Sequence, residues 1–232
     1  MRPTILLFDV DGTLVTTCGA GRRAIERAFA ARGRPPDALR DVPFGGMTDR
    51  AIVRTGLRAL GEPAEGPAAE AAIDAVLAGY LPILAEELAA TPGIRLHAGV
   101  RDALDAAAAR PGIALGLGTG NIRPGALLKL ERVGVAERFA FGGFGSDHED
   151  RAVLLGIGAA RGASYLGCAL AACRVVVIGD TPRDVAAAQA IGAESIVLAT
   201  SGFTVAALEA SGATHVFPDL AAPGALAAVL GP

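Results

Sequence analysis

The chain has 232 residues, of which 52% are hydrophobic and 19% charged, with a formal net charge of −3. This is ample material for a packed core and argues against disorder; the length suits one large domain or a core with a modest insertion. The small negative charge and scattered arginines leave no electrostatic footprint for nucleic acid or for a membrane surface.

In chain order, the apolar run Thr4–Phe8 reads as a buried strand that ends in Asp9-Val10-Asp11-Gly12-Thr13. The two aspartates interrupt the apolar stretch too early for a secretory signal. A strand has a side-chain period of two, so Asp9 and Asp11 start out on the same side. Like charges that close need a cation between them or a proton on one. A metal-bound carboxylate can attack, and a protonated one can act as a general acid.

From about Thr16 to Thr91 the character changes. No β-branched run occurs, and helical stretches at Gly21–Arg32, Asp49–Leu60 and Ala68–Leu88 are punctuated by Pro35-Pro36, Gly61–Pro67 and Thr91-Pro92-Gly93. A helical block directly after the first strand reads as an insertion over that strand's end. The expected organisation is an α/β core from residues 1–15 and 92–232, with 16–91 as a helical cap.

Beyond the block, further short apolar runs alternate with helical patterns. The runs are Ile113–Leu117, Phe139–Phe144, Val175–Ile178, Ser195–Leu198 and Thr214–Phe217, and helices are predicted at Val100–Ala109, Gly125–Val133 and Pro182–Ile191. Continuous apolar strands alternating with helices predict a doubly wound parallel sheet covered on both faces, a Rossmann-like α/β core. No segment reaches the roughly 18 uncharged apolar residues of a membrane span. Cys18, Cys168 and Cys173 form an odd set with no CxxC spacing, which suits a reducing cytoplasm and gives no zinc site. Cys18 reads either as a reactive thiol near the Asp pair or as a small buried filler.

In a doubly wound sheet the ligand site lies at the carboxyl ends of the strands. The run Ile113–Leu117 leads into Gly118-Thr119-Gly120-Asn121, ahead of a helix led by Pro124. A hydroxyl and free backbone N–H groups at a helix N-terminus make an anion site suited to phosphate, though the same residues also make ordinary turns. The run Val175–Ile178 ends in Gly179-Asp180-Thr181-Pro182-Arg183-Asp184. Asp184 can complement the helix dipole, whereas Asp180 adds a hard oxygen ligand of the kind Mg²⁺ prefers.

Gathered carboxylates acting on a phosphoryl group also need a fixed cation. The only lysine, Lys129, reads as a solvated helix face. Arg151, which starts a helix just after Gly145-Ser146-Asp147-His148-Glu149-Asp150, is better placed, with a surface Arg capping an acidic loop as the alternative. His148 reads as a loop or cap contact.

Together these motifs resemble those of the haloacid dehalogenase superfamily on its phosphatase side, whose fold is a doubly wound core with a mobile cap. Asp9–Thr13 and Gly179–Asp184 carry the resemblance most specifically; Thr119 and Arg151 complete the four-motif order. The resemblance implies that Asp9 attacks phosphorus to form an aspartyl-phosphate. Asp11 would protonate the leaving oxygen and then activate water, and Thr119 would hold a phosphoryl oxygen.

It further implies Mg²⁺ on Asp9, the Asp11 carbonyl and Asp180, with Asp184 close behind. Gly12, Gly120 and Asn121 are expected around the substrate. Arg151 departs from the lysine usual at its position and brings a planar fork in place of a point donor. Phe44-Gly45-Gly46-Met47-Thr48-Asp49 resembles the substrate-facing cap loop of phosphoglycolate phosphatase-like members, with Thr48 as a substrate contact or as the N-cap of a helix starting near Asp49.

Asp11 favours phosphoryl transfer over dehalogenation, and a cap without lysine excludes Schiff-base phosphonate cleavage. A β-phosphoglucomutase-type sugar phosphomutase, using cap cations among Arg22, Arg23 and Arg50, stays open. So does an inactive metabolite-binding protein. The expected partner is a small phosphorylated metabolite, a phosphoglycolate-like acid or a sugar phosphate, acted on by a cytoplasmic monomer or homodimer.

Overall fold

The computed structural model describes residues 2–35 and 37–231. Pro36, part of the expected Pro35-Pro36 break, lies outside them. The chain runs β1 (Thr4–Phe8), β2 (Val15–Thr16), α1 (Ala20–Ala30), α2 (Asp49–Ala59), α3 (Pro67–Ala90), β3 (Arg95–Leu96), α4 (Val100–Ala108), β4 (Ile113–Thr119) and α5 (Arg123–Glu131). It continues through β5 (Phe141–Phe144), α6 (Arg151–Leu166), β6 (Arg174–Gly179), α7 (Pro182–Ala190), β7 (Glu194–Leu198), α8 (Val205–Glu209), β8 (His215–Phe217) and α9 (Ala225–Leu230).

Six strands form one parallel sheet in the order β5-β4-β1-β6-β7-β8. All five residues of β1 are buried, as a central strand covered on both faces requires. Leu6 and Phe8 pack on one face with Val100, Leu104, Leu130 and Val229, while Ile5 and Leu7 pack on the other with Leu154, Leu155 and Ala188. The period of two thus divides β1 between two helical layers. Because β4 and β6 flank β1 in register, with Phe8 opposite both Leu117 and Ile178, their carboxyl ends form one rim.

Helices α1–α3 have a hydrophobic cluster of their own, which includes Ile25, Phe29, Ile52, Leu57, Ile73, Tyr80 and Leu84. This is the helical cap, and it stands over the rim. By length and composition the 24-residue α3 could cross a membrane. It nevertheless carries Glu70, Asp74, Glu86 and Glu87, and it buries Ile73, Val76, Leu77, Tyr80 and Leu84 inside the cap cluster. The cap's two connections to the core are β2 and β3, which pair antiparallel with Val15 opposite Leu96 and Thr16 opposite Arg95. Two-residue strands carry no readable periodicity, which leaves this ladder without a linear signature. Cys18, just beyond it, is exposed and has a positive φ of 49°, so it is not a buried filler.

Small residues set the spacing between sheet and helix. A Cβ on Gly143 of β5 would overlap the carbonyl oxygen of Leu154 on α6. Gly143→Ala is expected to destabilise the protein by about 1–3 kcal/mol, the usual cost of overpacking. A urea melt within 0.5 kcal/mol of wild type, taken as roughly the noise of a neutral substitution, would show that α6 moves aside freely.

Candidate active site

Three strand ends and one helix start converge under the cap. Asp9 leaves β1, Thr119 ends β4, Asp180 follows β6, and Arg151 begins α6. Asp9, Asp180 and Asp184 are buried, and one carboxylate oxygen from each lies within 4.8 Å of the others. Burial raises Asp9 toward the protonated form, and Arg151 opposes this. Burial, then the neighbouring Asp184 and Asp9 carboxylates, raises Asp180 well above the usual carboxylate range. Three buried hard-oxygen donors, two of them (Asp9 and Asp180) pushed toward protonation, fit a hard divalent cation such as Mg²⁺.

The surrounding contacts orient this cluster. Thr13 Oγ1, fully buried, donates to Asp180 Oδ1 at 2.8 Å. Asp184 Oδ2 accepts from the Asp180 and Thr181 N–H groups and from Thr181 Oγ1, so it acts as an orienting group and completes a capping box on α7. Gly12 takes a positive φ of 80°, and a Cβ there would overlap the Asp180 carboxylate. Only glycine combines that turn with so close an approach.

Arg151 is buried, which rules out the surface alternative. Its Nη2 donates to Asp9 Oδ2 at 2.8 Å and also to Asp184 Oδ1. One nitrogen serves both carboxylates, while Nε is buried without a partner among the described residues. A buried, unused guanidinium N–H beside Asp9 fits a phosphoryl oxygen.

Lys129 corrects the sequence reading. It is no solvated helix face: only 3% exposed, its Nζ meets Asp11 Oδ2 at 2.5 Å and also donates to Asn121 Oδ1. Burial disfavours its charge, but Asp11, Tyr80 and Asp49 outweigh that and hold it protonated. Asp11 in turn accepts from Asn121 Nδ2 at 2.9 Å and Thr17 Oγ1 at 3.3 Å. Desolvation would raise Asp11, yet Lys129, Asn121 and Thr17 together bring it below its ordinary value.

The turn before α5 also departs from expectation, because three of its N–H groups are already taken. Asn121 N–H goes to Thr119 Oγ1, Ile122 N–H to Asp49 Oδ2 at 2.8 Å, and Arg123 N–H to Ser146 Oγ. The anion on this helix N-terminus is the chain's own Asp49, reaching over from the cap. Asp49 N–H also donates to Gly120 O at 2.8 Å, and a Cβ on Gly120 would overlap the Met47 carbonyl. Thr48 N-caps α2, accepting from Ala51 N–H, and its hydroxyl donates to Glu149 O at 3.2 Å. The Thr48 hydroxyl is therefore spent on cap and core backbone, whereas Gly45, Gly46 and Met47 line the cavity. Arg54 on α2 adds a strap to Glu149 at 2.8 Å, and His148 makes only a loop contact to Asp150 N–H.

Burial raises Asp49 to about 6, against the pull of Lys129 and the Ile122 N–H. A carboxyl raised in the folded state binds its proton more tightly there, so its contribution favours folding at low pH and is lost as pH rises. From its ordinary 3.8 to about 6, that loss amounts to about 3 kcal/mol. Between pH 4 and 6 in EDTA, Asp49→Asn should flatten the stability profile by an amount of that order. Parallel profiles for the variant and wild type would refute the assignment.

Between cap and core lies a cavity of about 260 Å³, lined by Asp9, Asp11, Lys129 and Arg151 below and by Ile52 and Tyr80 above. The sequence pattern of the haloacid dehalogenase-like hydrolase family matches residues 3–192. The chain belongs to that family and is a hydrolase by descent.

Among solved structures, CbbY from Rhodobacter sphaeroides with xylulose-1,5-bisphosphate superposes at a TM-score of 0.71, with 23% identity and 100% of each chain covered. A candidate phosphoglycolate phosphatase from Lactobacillus delbrueckii subsp. bulgaricus gives 0.66, 20% and 100% of each chain. A candidate β-phosphoglucomutase from Thermotoga maritima gives 0.57 and 22%, covering 98% of this chain and 96% of its own. These likenesses are of fold. No curated protein matches the sequence.

Proposed function

We propose that the protein is a Mg²⁺-dependent phosphatase of a small phosphorylated metabolite, working through an aspartyl-phosphate on Asp9. In this reading residues 16–91 are a mobile cap over a core built from 1–15 and 92–232. The observation that carries it is the convergence of Asp9, Asp11, Asp180 and Arg151 on one cavity between cap and core. A chain that had lost catalysis has no need to hold three carboxylates and a guanidinium in this cluster at the cost of their desolvation.

Asp9 Oδ2 is the attacking oxygen, and Arg151 fixes its direction through the 2.8 Å contact. The unused Arg151 Nε–H and the Thr119 hydroxyl receive phosphoryl oxygens, and Gly12, Gly120 and Asn121 form the floor. Asp11 hands a proton to the leaving oxygen and later takes one from the water that attacks phosphorus. Asp9, Asp180 and the Asp11 carbonyl would hold Mg²⁺, with Asp184 behind them; when bound, the ion neutralises charge on the phosphoryl group.

The small cavity and its apolar roof favour a compact leaving group, a phosphoglycolate-like acid or a small sugar. The mutase reading loses ground because the cap cations it needs are occupied. Arg22 binds the Leu39 and Val42 carbonyls, Arg23 binds Glu87 and Thr91, and Arg50 binds Glu70 and Asp74.

Hydrolysis of p-nitrophenyl phosphate is the direct test. Turnover with Mg²⁺ that disappears in EDTA and returns on adding the ion is the expected result. The reading fails if no phosphate monoester in a metabolite panel is hydrolysed. Interconversion of glucose phosphates without release of phosphate would replace it with the mutase.

A further inference from the structure

We infer that Lys129 is the positioning residue for the Asp11 carboxylate and selects which of its oxygens carries the proton. The inference rests on the phosphatase reading above. Lys129 belongs to α5, which supplies none of the four motif residues, and it lies 118 positions from Asp11 in sequence. Its ammonium closes a triangle: Nζ to Asp11 Oδ2, Nζ to Asn121 Oδ1, and Asn121 Nδ2 to Asp11 Oδ2. Two donors therefore occupy Oδ2. Oδ1 keeps only the 3.3 Å contact from Thr17 and is the oxygen left for proton transfer.

The exposures are unequal in a telling way. The lysine side chain is 4% exposed and the Asp11 side chain 39%. More than a third of the Asp11 side chain still reaches the cavity and its solvent, so the pair is not an ion pair sealed inside the core. Sealing an ammonium away costs several kcal/mol, so stability alone gives a poor account of the pair.

The cap is shaped around the lysine as well. Gly21 of α1 leaves room for it, since a Cβ there would lie 3.2 Å from Nζ. Tyr80 of α3 roofs the same space, its buried hydroxyl without a hydrogen-bond partner within normal distance among the described residues. Helix α5 and the cap thus hold the ammonium from both sides, and the ammonium holds Asp11.

The role of Oδ1 follows the two half-reactions. In the first, the Asp9 oxygen–phosphorus bond forms, the bond from phosphorus to the leaving oxygen breaks, and the Asp11 proton passes to that oxygen. In the second, a water oxygen bonds to phosphorus, the aspartyl–phosphorus bond breaks, and the water proton returns to Asp11. A p-nitrophenolate leaves without a proton, so for that substrate only the second half depends on Asp11. An alkyl phosphate needs it in both.

The experiment is rapid-mix hydrolysis of p-nitrophenyl phosphate by wild type, Asp11→Asn and Lys129→Met, with intact-protein mass taken during turnover. Lys129→Met should release about one equivalent of nitrophenolate at near wild-type rate and then slow at least tenfold, a part of the roughly 10²–10⁴-fold that a positioned acid–base group supplies. The protein should gain one phosphoryl group in mass, as in Asp11→Asn. Alkyl phosphate turnover should fall further than aryl.

If burst and steady state fall together, or neither falls, while Asp11→Asn shows the burst, Lys129 is a structural ion pair and the inference is wrong. If Asp11→Asn shows no burst and wild type hydrolyses nothing, the phosphatase reading itself has failed. Should Lys129→Met not fold, Lys129→Gln, which keeps a donor without the charge, is read by the same criteria.

Discussion

Asp9→Asn is expected to remove hydrolysis of aryl and alkyl phosphates by about four orders of magnitude or more, the scale on which losing a nucleophile acts. An amide nitrogen or oxygen in place of the Asp9 carboxylate does not attack phosphorus. The substitution is nearly isosteric, and the Val10 N–H that donates to Asp9 Oδ1 at 2.8 Å keeps an acceptor. The variant loses the ion pair with Arg151 but also removes one of three clustered carboxylates. These changes oppose each other, so thermal unfolding should shift by only a few degrees, corresponding to about 1 kcal/mol. Turnover within tenfold of wild type, in protein freed of contaminating phosphatase by a second purification, would show that another group is the nucleophile.

Arg151→Ala should damage both catalysis and stability. The guanidinium touches Asp9 and Asp184, which are buried and have no other cation in contact among the described residues. Removing one partner of a buried ion cluster costs about 3–5 kcal/mol. The loss should depend on pH in a definite direction. Without Arg151, the folded-state affinity of Asp9 for its proton rises further above the unfolded value. Folding then becomes less favourable as pH rises, so the deficit is smaller near pH 4 than near pH 7.

Turnover should fall about 10²–10³-fold, as when one fixed donor to a developing charge is removed. Arg151→Lys keeps the charge with a single-point donor and should fall less on both measures. Urea melts in EDTA and steady-state kinetics in Mg²⁺ check these expectations. An Arg151→Ala protein with wild-type stability would contradict the contacts described above.

The sheet and helices could be read from sequence because their signals are local. β1 is a five-residue apolar run, and Pro182 after Thr181 marks the start of α7 within one or two residues of chain. The acidic strand ends were visible for the same reason: a carboxylate following an apolar strand stands out against a buried background. What stayed hidden depends on pairs remote in sequence. Lys129 sits in a helix of mixed leucine and glycine whose periodicity names no solvent face, and its partner is on β1's turn. One compositional sign was available, a single lysine among 21 basic residues. Asp49 reads in sequence as an ordinary first-turn acid of α2, and only tertiary structure puts its carboxylate on the N-terminus of α5. Arg151 follows a strand end, a position readable in sequence, but the sharing of one of its nitrogens between two carboxylates has no linear signature.

The ladder between β2 and β3 has a mechanical consequence. Two separate tethers would let the helical cap twist, slide and tilt over the core. Zipped together at Val15–Leu96 and Thr16–Arg95, they act as one pin and leave rocking as the soft motion. The pin begins four residues after Asp11, is bridged to it through Val15, and runs on to Thr17, which bonds the Asp11 carboxylate. In the phosphatase proposed above, tilting the lid would turn the acid–base group with it. A substrate that fails to bring the lid down would meet a proton carrier out of register, so fit in the cap would set the rate of phosphoryl transfer.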